Sequence, residues 1–116
     1  LERAAMRLAL GRGGPRDLQA LGRALEAGMA AAALLGSSGG PLPAKLAAAA
    51  GTLSLTSAPD LAGLARDLAK ALVDTPPVLA REGGFIAEGW DNALDEVRAL
   101  REDSRRIIAA MQARYA

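Results

Sequence analysis

A heptad-like apolar repeat in the last quarter of this chain constrains its fold more than any other feature. Its members are spaced alternately by three and four positions: Trp90, Ala93, Val97, Leu100, Ser104, Ile107 and Met111. This spacing places them on one face of an α-helix, with charged residues on the opposite face. The pattern predicts a helix over 91–115, about 37 Å long at about 1.5 Å per residue. Because no stop signal follows, we expect an arm that continues in a longer chain.

The apolar face of this helix has two interpretations. It packs within the domain, or it forms half of an antiparallel helix pair that continues past Ala116. Ser104 interrupts the apolar face and Arg114 stands where the next apolar residue should fall, which argues against a long dimeric coiled coil. Trp90 lies on the same face, and we expect it in the core. Asp91 or Asn92 can cap the first turn.

A stretch rich in proline and glycine precedes the long helix. Pro76 and Pro77 end the preceding helix, because proline lacks an N–H and pushes the residue before it towards an extended conformation. Two short apolar runs, 78–80 and 85–87, flank a turn that contains two glycines. This arrangement predicts a β-hairpin over about 78–87, which must pack on helices because two strands alone are marginal.

The rest of the chain is rich in alanine and leucine. Of its 116 residues, 28 are Ala and three are aromatic, and β-branched residues are few. This composition favours α-helices packed through Leu and Ala side chains. Further helices are predicted over about 1–10, 15–35, 43–50 and 58–73. The predicted fold is therefore mainly α: an irregular helical bundle with one short β-hairpin and a long, lever-like C-terminal helix.

Local signals set the expected helix ends. Pro15 suits the first turn of the second helix, and Gly51 is expected to close the third. Ser57 can cap the fourth helix. Within the second helix, Gly22 and Gly28 either weaken it, by up to about 1 kcal/mol each, or mark the close approach of another helix.

The residue types present exclude several kinds of chemistry. The chain has no Cys and no His, which excludes disulfides, thiolate nucleophiles, Cys/His zinc sites and a histidine general base. The adjacent acidic pairs of the last helix diverge from each other, as neighbours on a helix do. The glycine-rich segment 11–14 lacks the Gly-Lys-Ser/Thr ending of a nucleotide-binding loop. We therefore predict no catalytic, cofactor-binding or metal-ligating residue in this chain.

The charge of the chain is nearly balanced, at +1 overall. Residues 1–23 hold five arginines against Glu2 and Asp17, a local balance of 5 − 2 = +3, so a phosphate-binding patch is conceivable there. The lack of accompanying aromatic residues favours a solvated helix face. No signal-peptide pattern is present, and the longest apolar run, 29–35, is far shorter than the ~20 residues that span a bilayer. We expect no membrane partner.

Two blocks of sequence resemble the MutS family of DNA mismatch repair proteins. The first, 1–18, reads Leu-Glu-Arg-Ala-Ala-Met-Arg-Leu-Ala-Leu-Gly-Arg-Gly-Gly-Pro-Arg-Asp-Leu. The second contains Asp-Thr-Pro-Pro-Val-Leu at 74–79 and Arg-Glu-Gly-Gly-Phe-Ile-Ala-Glu-Gly-Trp at 81–90. It continues with Asn92, Leu-Asp-Glu at 94–96 and Arg-Ala-Leu at 98–100. Residues 30–56 carry no motif that we can match.

The resemblance implies that residues 1–116 are a single fragment of the helical core domain of a MutS-like protein. Its last helix would begin a lever that links the ATPase to the DNA clamp and mismatch-reading domains. The parent protein would bind mismatched DNA in an ATP-dependent way, as a cytoplasmic homodimer. Its ATP and Mg would bind outside this fragment, which is not itself an enzyme. The family's Phe-x-Glu motif is absent, since Ile86 and Ala87 follow Phe85.

Two hypotheses of function follow. In the first, the fragment is a mechanical element whose hinge lies at 74–90, where turn residues concentrate just before the longest helix. Its partners are the other domains of the parent chain, and DNA through the parent's clamp and mismatch-reading domains. In the alternative, the chain is a stand-alone helical protein–protein interaction module.

Overall fold

The computed structural model describes residues 1–116, and most of them are helical. The helices are α1 (Glu2–Ala9), α2 (Pro15–Gly36), α3 (Ala44–Leu53), α4 (Pro59–Ala71) and α5 (Asn92–Tyr115), with a 3₁₀ helix at Ala80–Glu82. The predicted fold class, mainly α with a long last helix, is confirmed.

Helix α2 is the centre of the bundle, because α1, α3 and α4 each pack against it. It begins at Pro15, whose fixed φ suits a first helical turn. The carboxylate of Asp17 accepts a hydrogen bond from the Gly14 N–H at 3.0 Å and so satisfies one amide at the helix start that has no partner within the helix. Arg7 of α1 lies 3.7 Å from the same carboxylate, which ties α1 to α2.

The bundle interior is small and built from small side chains. Its buried residues are Ala4, Pro15, Gly22, Ala32, Ala65, Ala71, Leu72 and Pro76. At Gly22, an added Cβ would lie 3.1 Å from the Cβ of Leu68, so the expected close approach of α2 to another helix is confirmed here. At Gly28 the nearest atom, Cδ2 of Leu53, would lie at an ordinary 3.4 Å.

The predicted β-hairpin over 78–87 is wrong. The two apolar runs do not pair with each other, and the first leads into the 3₁₀ helix. The second run pairs instead with the end of α4. Val73 N–H donates to the Phe85 carbonyl at 3.0 Å, and Ala87 N–H donates to the Ala71 carbonyl at 2.7 Å. A single antiparallel bridge joins Leu72 to Ile86.

Two physical causes explain this change of partner. Residues 80–82 form a 3₁₀ helix, so the end of the first apolar run and the start of the turn are not in the extended conformation that strand pairing needs. The backbone groups beyond the end of α4 also need partners, and Phe85 and Ala87 supply them.

Several helix ends differ from the sequence-based expectation. Gly51 lies inside α3, which continues to Leu53, where Ser54 then donates its hydroxyl to the Gly51 carbonyl at 2.8 Å. Ser57 does not cap α4, which begins at Pro59 without any side-chain cap. Of the two candidate caps of α5, Asp91 fills the role, accepting from the Leu94 N–H at 3.2 Å.

Helix α5 projects away from the bundle. The molecule measures 76 × 30 × 20 Å, and every residue from 99 to 116 is exposed. The apolar face of α5 is therefore open, and the interpretation that it packs within this chain is wrong. Trp90 is 46% exposed, so its predicted core position is also wrong. The heptad spacing defined one face of a helix but not what would cover that face.

None of the helices is both long enough and apolar enough to cross a bilayer.

Candidate functional site at the base of the long helix

Residues 72–91 connect the helical bundle to α5, and we call this segment the joint. It leaves α4, passes through Pro76 and the 3₁₀ helix, and returns to run beside the end of α4. Three of its glycines have positive φ, at 69° for Gly83, 71° for Gly84 and 86° for Gly89. These conformations are ones that other residues adopt only with strain, so the path of the joint depends on glycine.

The first half of the joint is held by three polar side chains of α2, which we call the clamp: Arg16, Gln19 and Arg23. Arg16 Nε donates to the Pro76 carbonyl at 2.9 Å. Gln19 Nε2 donates to the Asp74 carbonyl at 2.7 Å and to the Val73 carbonyl at 3.3 Å. Arg23 Nη2 donates to the same Asp74 carbonyl at 3.3 Å. The clamp thus supplies donors to carbonyls in an irregular segment that no helix or sheet satisfies.

Tight packing supports the clamp. Pro15, at the start of α2, and Pro76, in the joint, are the two largest fully buried side chains of the molecule. Gly14 lies so close to the Val78 carbonyl that a side chain there would overlap it. The N-terminal end of α2 and the first half of the joint therefore form one closely packed unit.

The second half of the joint is held by the first turns of α5. Gly89 N–H donates to Asp95 Oδ2 at 2.8 Å, and Arg98 Nη1 donates to the Ile86 carbonyl at 2.9 Å. The two side chains also approach each other, with Arg98 Nη1 lying 3.8 Å from Asp95 Oδ1. We call Asp95 and Arg98 the latch. It connects α5 to Ile86, which is itself paired with the end of α4.

A shallow groove lies where the joint meets α5. Its volume is about 260 Å³, and it is lined by Gly83, Gly84, Phe85, Ile86, Leu94, Val97, Arg98 and Arg101. The groove offers an apolar floor beside two arginines. No group of three or more His, Cys, Asp or Glu side chains that could hold a metal ion is present in the chain.

The arginine-rich N-terminal region has a role that the sequence analysis missed. We expected either a phosphate-binding patch or a solvated helix face. Arg16 and Arg23 instead donate to the joint, and Arg7 lies beside Asp17. A signal for the clamp was present: its members are spaced by three and four positions, which places them on one face of α2. The spacing gave no indication of the carbonyls that they bind.

The fold and the joint define a class of protein segment: a small helical bundle with a projecting helix, joined to it by an irregular segment that side chains of both parts hold by hydrogen bonds. No protein-family model matches the chain. It is 48% identical over all 116 residues to the DNA mismatch repair protein MutS of Rhodopseudomonas palustris (strain BisB18). It shows the same identity, also over its whole length, to the protein of that name from Nitrobacter winogradskyi.

The whole chain therefore matches a segment of proteins of the MutS family. It spans 12% of the length of each of these two relatives. The similarity includes residues 30–56, where no motif was recognised in the sequence.

Proposed function

We propose that this chain is a structural segment of the helical core of a MutS-like mismatch repair protein, and that α5 is the beginning of a lever. The observation that carries this proposal is the contrast between the two ends of α5. Its residues from 99 onward are exposed, whereas its base is tied to the bundle through the latch and the joint. A long helix that is held at its base is suited to transmitting a rotation over a distance.

The size of α5 supports a mechanical role. With 24 residues it is about 36 Å long, at about 1.5 Å per residue. A rotation of about 10° at its base would therefore move its tip by about 6 Å. A small rearrangement in the joint would thus become a displacement comparable to one helical turn.

In this proposal the chemistry lies elsewhere in the parent protein. The parent binds mismatched DNA in an ATP-dependent way, with ATP and Mg outside this segment, and works as a cytoplasmic homodimer. This segment links the ATPase to the DNA clamp and mismatch-reading domains, and it supplies no catalytic residue. Its role is to couple two sites, which requires an element with two arrangements that the sites favour differently.

The joint is the element that we propose to change arrangement. Gly83→Ala and Gly89→Ala in the full-length protein test this, because both glycines have positive φ and no other residue occupies these conformations readily. A non-glycine residue there costs about 1–2 kcal/mol of strain, which biases the joint towards another path. We expect slower ATP-driven release from mismatched DNA.

The matched control is Gly63→Ala, which lies in α4 with open space around the new methyl group. It should leave the release rate unchanged. If both joint variants fold and release DNA at the wild-type rate, the hinge role of the joint is refuted.

One observation favours a second candidate, a stand-alone helical interaction module. The exposed apolar face of α5, which includes Val97, Leu100, Ile107 and Met111, could receive a partner helix. The DNA-release assay separates the two functions, because a stand-alone module has no ATP-dependent activity on mismatched DNA.

A further inference from the structure

Two side chains of α5 hydrogen-bond to residues that precede the helix and its N-cap, and they are the latch residues Asp95 and Arg98. Other polar groups further along α5 bond within the helix. Ser104 donates to the Leu100 carbonyl, and Arg106 pairs with Asp103. The direction in which α5 leaves the bundle therefore depends on the latch, on the Asp91 cap and on the short segment between them.

The latch spans a turn of the joint, in which the Trp90 N–H donates to the Ala87 carbonyl at 3.3 Å. Its two anchoring groups, the Ile86 carbonyl and the Gly89 N–H, stand on either side of Ala87 and Glu88. Gly89 has φ 86°, so the chain turns at the residue that Asp95 holds. When both bonds are made, the first turns of α5 lie against the segment that is paired with α4.

The latch differs from the clamp in how readily it can open. The side chains of Asp95 and Arg98 are 27% and 35% exposed, so water can replace their partners when the bonds break. The clamp bonds to Asp74 are also exposed, but the segment that they hold contains Pro76, which is fully buried and would lose its packing if the segment moved. Bending should therefore occur at 86–91, the segment that contains both latch anchors, and not at 73–76.

We propose that Asp95 and Arg98 form a releasable latch that sets the direction of α5, and that opening it is how the arm changes direction. This inference narrows the proposed hinge from the whole joint to residues 86–91. It deepens the function proposed above and rests on it for its biological meaning. The latch is tested by a distance measurement, whereas the mismatch-repair role is tested by the DNA-release assay. A failure of one can therefore be told apart from a failure of the other.

The test is a distance measurement in the full-length protein without nucleotide or DNA. Spin labels are placed on noncanonical residues at Ala20, exposed on α2, and Gln112, exposed on α5, and their separation is measured by pulsed electron paramagnetic resonance. We expect Asp95→Ala and Arg98→Ala each to broaden the distance distribution by roughly twofold or more. Without the latch bonds, the closed arrangement is no longer favoured over other directions of α5. Arg98→Lys keeps a donor for the Ile86 carbonyl and should restore much of the wild-type width.

The matched controls are Asp103→Ala and Arg106→Ala. These residues have the same spacing on the same helix, and they pair at 2.8 Å with each other but not with the joint. Their distributions should stay as narrow as that of the wild type. Should Asp95→Ala fail to fold, Asp95→Leu replaces it, because leucine keeps the branched shape of the side chain and removes the acceptor for the Gly89 N–H.

Each outcome decides the proposal. Broad distributions in the latch variants, with narrow controls and unchanged helical content, support it. Wild-type widths in the latch variants overturn it. Equal broadening in the latch and control variants also overturns it, because the cause would then be loosening of α5 itself.

Discussion

Replacing Gly22 by alanine tests how closely α2 and α4 approach each other. In an open helix position, Gly→Ala stabilises by up to about 1 kcal/mol, because alanine loses less backbone entropy on folding. At Gly22 the new Cβ would lie 3.1 Å from the Cβ of Leu68, whereas carbon atoms pack best at about 3.5–4.0 Å. The Leu68 Cβ is bonded directly to the α4 backbone, so rotation of its side chain cannot make room.

The two helices must therefore separate by a few tenths of an ångström. Overpacking of this kind costs about 1–3 kcal/mol, which cancels or exceeds the propensity gain. Gly63→Ala is the matched control, since it adds the same methyl group to α4 with no atom within 4 Å. We expect Gly63→Ala to stabilise the chain by about 0.5–1 kcal/mol. Gly22→Ala should be less stable than this control by about 1–3 kcal/mol.

The assay is urea denaturation of the 116-residue chain, followed by far-UV circular dichroism. The free energies of unfolding of the two variants are compared when the slope of free energy against urea concentration is the same for both. Equal slopes indicate that the unfolded states are alike. If Gly22→Ala proves as stable as Gly63→Ala, the two helices do not approach as described, and our account of the bundle interior is refuted.

Two further predictions concern side chains that hold the ends of elements. Arg16→Ala removes the donor to the Pro76 carbonyl and should destabilise the chain by about 1 kcal/mol in the same denaturation assay. The control is Arg66→Ala, because the Arg66 side chain makes no hydrogen bond or ion pair. This control should change the free energy of unfolding by less than about 0.5 kcal/mol. Asp91→Ala removes the cap of α5 and should cost about 1 kcal/mol, seen as faster hydrogen exchange of the Leu94 amide; an unchanged exchange rate would contradict the capping role.

The features that sequence predicted well depend on residues close together in the chain. Asp91 caps α5 through the amide three residues later, and Pro15 starts α2 beside Asp17 in the same turn. The charged and apolar faces of α5 likewise follow from its own three-and-four spacing. In each case one helical turn contains both partners of the interaction, so the pattern is visible without the fold.

The features that sequence missed join residues far apart. Gln19 binds the carbonyls of Val73 and Asp74 across more than fifty positions, and no local pattern identifies that partner. The hairpin prediction failed for the same reason. Adjacent apolar runs suggested pairing with each other, but the end of α4 supplied backbone partners for Phe85 and Ala87.

The small interior of this chain has a consequence for how its stability varies with temperature. Eight of 116 residues are buried, and most of these are alanine, glycine or proline. The heat capacity change of unfolding grows with newly exposed apolar area, and folded domains average about 12–15 cal/mol/K per residue. This chain hides little such area, so its value should fall below that range. Its free energy of unfolding, plotted against temperature, then forms a low, broad curve. Cooling should therefore weaken the fold less than in a protein with a large apolar core.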